Sequence, residues 1–320
     1  MSVSVSGPSR SQQQLEVRQI GELEFEGVRP LGKPSPNSRG VYGGNLCAQA
    51  ILVAMRTVDS DFVPHSLHSY FVAAGDDSLV CEYKVEKVST GNNFANRLVK
   101  LYQKDQLKYL VMISLTKKNS IDKTAQAFDK TGKGPRPFEY QLPVKSSAFK
   151  HNLDEIPLLS SDPDKLVQHK LTPEFVDIDE ADELSKAPSE RTLGFYIRLN
   201  DQELPTQYKY ATMGVVTDSL YLTSISRILH LPRINNNPLG SSGGANHNFF
   251  SISLDHSIYF HDDDFSPTNW LYFQYQSPRF SNNRVLFTGG YYNSKGKLIA
   301  TIVQEGLVFF KNDADLKAKL

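Results

Sequence analysis

The chain has 320 residues, with 35 Lys and Arg balanced by 35 Asp and Glu, so its formal net charge is zero. That balance argues against a global field of the kind that gathers nucleic acid or an anionic membrane, and no run approaches the roughly 18 apolar residues of a membrane-spanning helix. The two cysteines, Cys47 and Cys81, stand far apart in apolar surroundings and in no Cys-x-x-Cys pattern, which argues against a zinc site or disulfide scaffold and reads them as inert core thiols.

Residues 1–14 are rich in Ser and Gln and lack an apolar core segment, so they read as a disordered lead-in, not as a secretory signal. A first domain is expected over 15–116. Within it, Gly43 and Gly44 open a helical run from Asn45 to Val58, with Leu46, Ala50, Val53, Ala54 and Thr57 on one stripe. His65-Ser66-Leu67-His68-Ser69-Tyr70-Phe71 follows, then an alternation through Leu79, Cys81, Tyr83 and Val85 with the period of a half-buried strand, and then an Asn92-Asn93 turn. The stretch 117–189 changes character. It is charged and Pro-containing, and reads as a linker with one ordered arm around Pro137 to Pro143.

Strand alternation resumes from Arg191 to Leu199, at the start of a second domain expected over 190–310. A second helical segment, Gln207 to Ser226, puts Ala211, Gly214, Val215, Asp218 and Leu222 on one stripe, so a carboxylate stands on an otherwise apolar face. Leu254-Asp255-His256-Ser257-Ile258-Tyr259-Phe260 comes next, followed by the alternation Leu271, Phe273, Tyr275 and an Asn282-Asn283 turn. His68 and His256 lie 188 residues apart and the two Asn pairs 190, a near-constant offset that marks an internal repeat. A helix followed by hairpin-linked, hence antiparallel, strands, occurring twice, gives the α+β class. Each half is expected to wrap a curved sheet around its helix, and the two sheets can join through their edge strands.

Gln304 lies in the apolar run Leu298 to Phe310, where an unpaired amide would cost about 1–3 kcal/mol, so it needs partners there. At the 190-residue offset its counterpart is Ser114, so the first half lacks the same amide. His65, His68, His256 and His261 are spaced by three and five, which puts paired imidazoles on opposite faces of a strand. They read as structural hydrogen-bonding groups and not as metal ligands, as does Asp255. Gly240-Ser241-Ser242-Gly243-Gly244 fits the Gly-x-Ser-x-Gly nucleophile pattern. That pattern needs a strand before it and a helix after it, whereas Asn235-Asn236-Asn237-Pro238 and Ala245-Asn246-His247-Asn248 both read as loop.

Taken together and in this order, Tyr42-Gly43-Gly44, the His65 to Phe71 block, Thr217-Asp218-Ser219-Leu220, the Asp255 to His261 block and Val303-Gln304-Glu305-Gly306 resemble the acyl-CoA thioesterase II family. That family comprises double-hotdog enzymes, some of them peroxisomal. The resemblance spans 15–116 and 190–310. It implies a double hotdog, two helix-wrapped antiparallel sheets joined in one chain, that hydrolyses fatty acyl-CoA to fatty acid and CoA without a cofactor and forms homo-oligomers. It also implies a catalytic Asp at Asp218, a hydroxyl group at Ser253, where many relatives carry Thr, and a Gln at Gln304. The chemistry of such a trio suits direct attack by an oriented water: Asp218 as base, Ser253 and Gln304 as positioning groups, and backbone amides at a helix start for the oxyanion. A non-catalytic acyl-CoA-binding protein and a serine esterase acting through Ser242 are the alternatives. In the tail, 311–320, the final Ala318-Lys319-Leu320 is similar to the Ser-Lys-Leu peroxisomal address, which sets the expectation of an import-receptor partner and a location in the peroxisomal matrix.

Overall fold

The computed structural model describes residues 7–310 apart from 118, 135, 146–147, 178–182 and 232–247. The first half consists of α1 (Arg10–Leu15), β1 (Val17–Gln19), β2 (Glu24–Gly27), α2 (Gly43–Met55), β3 (Val63–Phe71), β4 (Glu82–Thr90), β5 (Phe94–Gln103) and β6 (Gln106–Thr116). A connecting helix, α3 (Ile121–Thr131), leads to β7 (Val167–Leu171), α4 (Pro173–Val176), β8 (Leu193–Leu199), α5 (Thr206–Thr217) and α6 (Ile225–Ile228). The second half closes with β9 (Asn248–Ser253), β10 (Asp255–Phe260), β11 (Leu271–Ser281), β12 (Arg284–Tyr292) and β13 (Leu298–Phe310).

The alternating runs fold as read, because side chains at every second position face the same side of a strand. Tyr83 and Val85 turn inward from β4, and Leu271, Phe273 and Tyr275 from β11. All these strands join one sheet in the order β1-β2-β4-β5-β6-β3-β10-β13-β12-β11-β8-β7, with β9 also on β13. The order is mirrored about the β3–β10 pair, where Ser69 stands opposite His256 and the two halves become one antiparallel sheet. The repeat extends to irregularities: β4 is bulged between Lys87 and Ser89, and β11 between Gln276 and Arg279. The α+β double hotdog expected from the sequence is the observed architecture.

Helices α2 and α5 lie inside this sheet and pack on each other through glycines. A Cβ added at Gly44 would sit 2.8 Å from the Gly214 carbonyl oxygen, and one added at Gly214 would sit 2.8 Å from the Ala48 nitrogen. Only residues without a side chain let the two backbones come so close. Every residue of α2 from Gly44 to Met55 is buried, so the expected single stripe is a helix enclosed on all sides.

Four local expectations need correction. From Ser9 onward the lead-in is ordered: Ser9 and Gln12 form a capping box on α1, and Leu15 is buried in the core. The 117–189 stretch contributes β7 to the sheet, paired with β8 from Val167 opposite Leu199 to Leu171 opposite Phe195. The short, polar Val-Gln-His-Lys-Leu run carries too little alternation to show this in advance. The helical reading through Ser226 breaks at Thr217, and α6 forms separately. The two Asn-Asn turns also differ, since only Asn282 and Asn283 adopt positive φ, 52° and 59°, the geometry of a tight hairpin. Within the expected arm, Gln141 ties the chain to the start of β13, donating to the Gly296 carbonyl at 2.7 Å and accepting from the Leu298 amide at 2.8 Å.

Candidate active site

Where α5 ends, the chain must leave the crowded interface with α2. Asp218 is the C-cap residue of α5, with φ −90° and ψ 1°, and two residues later Leu220 takes φ 65°, a left-handed conformation that L-residues rarely adopt. This turn leaves the Asp218 carboxylate beside the N-terminus of α2. The Gly44 amide donates to its Oδ2 at 2.8 Å, using one of the first-turn N–H groups that have no partner within the helix. Asp218 is therefore not on an apolar stripe, as its spacing in the sequence implied, but in the seam between two helix ends.

Two strands complete its coordination. Gln304, fully buried on the inward face of β13, donates from Nε2 to Asp218 Oδ1 at 2.6 Å. Ser253, the last residue of β9, donates from Oγ to the same oxygen at 3.3 Å, and Tyr221 donates its hydroxyl to Ser253 Oγ at 2.7 Å. Register fixes this convergence: Ser253 stands opposite Gly306, two positions beyond Gln304 on β13. The three residues expected from the sequence thus meet at one carboxylate. Gln304 Oε1 is buried and has no hydrogen-bond partner among the described residues, an acceptor that remains to be satisfied.

Burial dominates the electrostatics. Asp218 is 7 % exposed, and desolvation pushes its carboxyl up to about 7, against the lowering effect of the bonds from Gln304, Gly44 and Ser253. Tyr42, whose hydroxyl donates to the Val215 carbonyl at 2.8 Å, and Tyr221 and Tyr291 are held in their neutral form by burial and by the nearby carboxylate. The site offers a base poised near neutrality, a hydroxyl and an amide that fix its orientation, and the N-terminus of a buried helix.

Similarity to known proteins settles the family. Models of the acyl-CoA thioesterase N-terminal and C-terminal domains match residues 33–116 and 153–308, which together are well over half of the chain. The chain belongs to the acyl-CoA thioesterase II family. It is 26 % identical to the peroxisomal acyl-coenzyme A thioester hydrolase 1 of Saccharomyces cerevisiae over the whole of both chains. It is 27 % identical to acyl-CoA thioesterase 2 of Haemophilus influenzae, covering 92 % of this chain and 96 % of that protein. Its fold matches the acyl-CoA thioesterase II of Mycobacterium marinum with a TM-score of 0.67 at 20 % identity, over 94 % of this chain and 98 % of the other. The chain is an acyl-CoA thioesterase, a hydrolase of the thioester bond.

For a member of this family, the remaining candidates fall outside the cluster around Asp218. His65 bonds Ser114 Oγ at 2.9 Å, His68 bonds Ser257 Oγ at 3.1 Å and His261 bonds Thr301 Oγ1 at 2.8 Å. His256 departs from the hydrogen-bonding reading: both of its ring nitrogens are buried without a hydrogen-bond partner among the described residues, and burial brings the imidazole down to about 3. Asp255 accepts the Glu305 amide at 2.8 Å. Burial pushes the Cys47 and Cys81 thiols up to about 12, so both stay protonated. Ser242 and Ala318, Lys319 and Leu320 lie outside the described residues. Sequence reasoning missed Tyr221 and the Gly44 amide as site groups. Tyr221 carried no signal because its role depends on the turn at Leu220, whereas the Gly43-Gly44 pair at a helix start was visible without its acceptor.

Proposed function

We propose that this thioesterase hydrolyses fatty acyl-CoA to free fatty acid and CoA by direct attack of a water held by Asp218, Ser253 and Gln304. The observation that carries this reading is the buried Asp218 carboxylate, raised to about 7 and gripped by Gln304, Ser253 and the Gly44 amide. A water that donates to Asp218 and to Gln304 Oε1 would satisfy the unpaired amide oxygen and present its lone pair to a thioester carbonyl. Asp218 takes the proton as the water attacks. Ser253, held by Tyr221, keeps the carboxylate aligned. The amide of Gly43 is the oxyanion donor in this scheme: it opens α2, and a Cβ at that position would sit 3.0 Å from Asp218 Oδ2. The thiolate of CoA leaves readily, so the scheme needs no covalent enzyme intermediate.

The name of the yeast relative and the Ala318-Lys319-Leu320 ending together favour a peroxisomal matrix location with delivery by the import receptor. The test is thiol release by the purified protein across short to very long acyl-CoAs, combined with single-turnover hydrolysis in H₂¹⁸O. Direct attack puts one ¹⁸O in the fatty acid in the first turnover. Unlabelled acid in that turnover would show an acyl-enzyme on a carboxylate. Covalent labelling of Ser242 by a serine probe, with loss of activity, would favour the esterase alternative.

A further inference from the structure

One pair of buried side chains near the centre of the sheet differs in kind between the two halves. Ser257 of β10 stands opposite Val303 of β13, so the next step brings His256 opposite Gln304, just before the register shifts and the Leu254 amide bonds the Glu305 carbonyl at 2.9 Å. His256 and Gln304 share the inward face with Ile258 and Ile302, and all four are wholly buried. In the first half, Arg97 follows Asn92 by five residues, as Phe287 follows Asn282, and these two face Ile113 and Gln304 respectively. Ile113 in turn stands opposite Leu67 of β3. The two inward positions that hold Leu67 and Ile113 in one frame therefore hold His256 and Gln304 in the other.

Packing accounts for the apolar pair and not for the polar one. Both His256 ring nitrogens and Gln304 Oε1 are buried without a hydrogen-bond partner among the described residues, and a group left so costs about 1–3 kcal/mol. Gln304 Nε2 is engaged by Asp218 at 2.6 Å, while Oε1 has two lone pairs, of which the attacking water takes one. Burial keeps the imidazole neutral, with one N–H to donate. Side chains directly opposite on paired strands have Cβ atoms about 4.5–5.5 Å apart, a span that one buried water can bridge. We infer that His256 is a positioning residue for hydrolysis: through one bridging water its ring N–H supplies the second hydrogen bond to Gln304 Oε1 and keeps Gln304 Nε2 turned to Asp218. The inference rests on the hydrolytic reading of Asp218 and Gln304. An amide held at both ends cannot swing its oxygen toward the carboxylate.

The test compares wild type with His256→Leu, which copies Leu67, and with His256→Gln, which keeps an N–H donor. His256→Leu should lower kcat about tenfold at unchanged KM. It should also move the acid limb of kcat/KM to higher pH, because the Gln304 bond that holds the Asp218 carboxyl down is weakened. Tyr42, Cys47, Tyr109, Tyr221 and Tyr291, the other titratable groups that face Asp218, stay neutral there. His256→Gln should recover kcat to within about threefold of wild type. Adding Gln304→Ile to His256→Leu rebuilds the apolar pair of the first half, and its kcat should equal that of Gln304→Ile alone. This last comparison decides the matter if a single His256 variant fails to fold. Wild-type kcat and pH profile in His256→Leu, equal losses in the two His256 variants, or a double variant slower than Gln304→Ile by the full His256→Leu factor would overturn the inference. Wild-type kcat in Gln304→Ile would instead end the hydrolytic role of Gln304 itself.

Discussion

Asp218 is pulled in opposite directions by its position. It closes α5, where the carbonyl end of the helix dipole disfavours a negative charge, and it caps the start of α2, where the amide end favours one. Burial decides the balance and raises the carboxyl to about 7. A base works only when ionised, so kcat/KM should fall about tenfold per pH unit below 7 and level off above it, as a pH profile of thiol release will read. A profile flat from pH 5 to 8 would assign proton transfer to another group. Tyr221→Phe removes the donor to Ser253 but keeps the ring, and kcat should drop about tenfold with KM held, as measured by steady-state kinetics. The chemistry of Asp218, Ser253 and Gln304 was legible because residue type and block order identify them. The setting of Asp218 was not, since periodicity placed it inside a helix and only the strained turn at Leu220 moves it to the helix end.

At the scale of elements, catalysis depends on how closely α2 and α5 approach. Gly44 supplies the amide to Asp218 and also leaves room for the backbone of α5, whose Val215 Cα would lie 2.9 Å from an added Cβ. Gly44→Ala should therefore cost about 1–3 kcal/mol of stability through overpacking, read as a lower Tm, and should reduce kcat as the helix ends separate. An active enzyme with an unchanged Tm would show that the crossing has slack. The helices and main strands were readable from periodicity because burial enforces it. β7 and α1 were not: β7 is a short edge strand whose pairing with β8 comes from tertiary contact, and α1 is held by a capping box in a stretch of low hydrophobicity.

Over the whole molecule the repeat builds two similar frames, of which one carries the chemistry. The C-cap of α2, the counterpart of Asp218, is Arg56, which bonds the Val17 carbonyl and the Glu16 carboxylate. Strand register gives Gln304 the counterpart Ile113 and not Ser114, because Gln304 stands opposite Phe287 and Ile113 opposite Arg97; Ile113 is buried, while Ser114 faces the other way and bonds His65 at 2.9 Å. The first frame thus places a cation where the second places its base. A non-hydrolysable thioether analogue of acyl-CoA should bind at one molecule per chain by calorimetry, and two equivalent sites would contradict this asymmetry. The repeat was legible from its constant offset, as was the absence of a second Gln304, whereas the pairing of Asp218 with Arg56 emerges only from where the structure ends each helix.

The central claim is that Asp218 is the base for the attacking water, and its most direct measurement is kcat for Asp218→Asn beside binding of the thioether analogue. The substitution keeps the size of the side chain and removes its basicity. Thiol release should fall about 10³-fold while the analogue binds within about threefold of wild type. A variant that binds the analogue and turns over within tenfold of wild type would contradict the assignment.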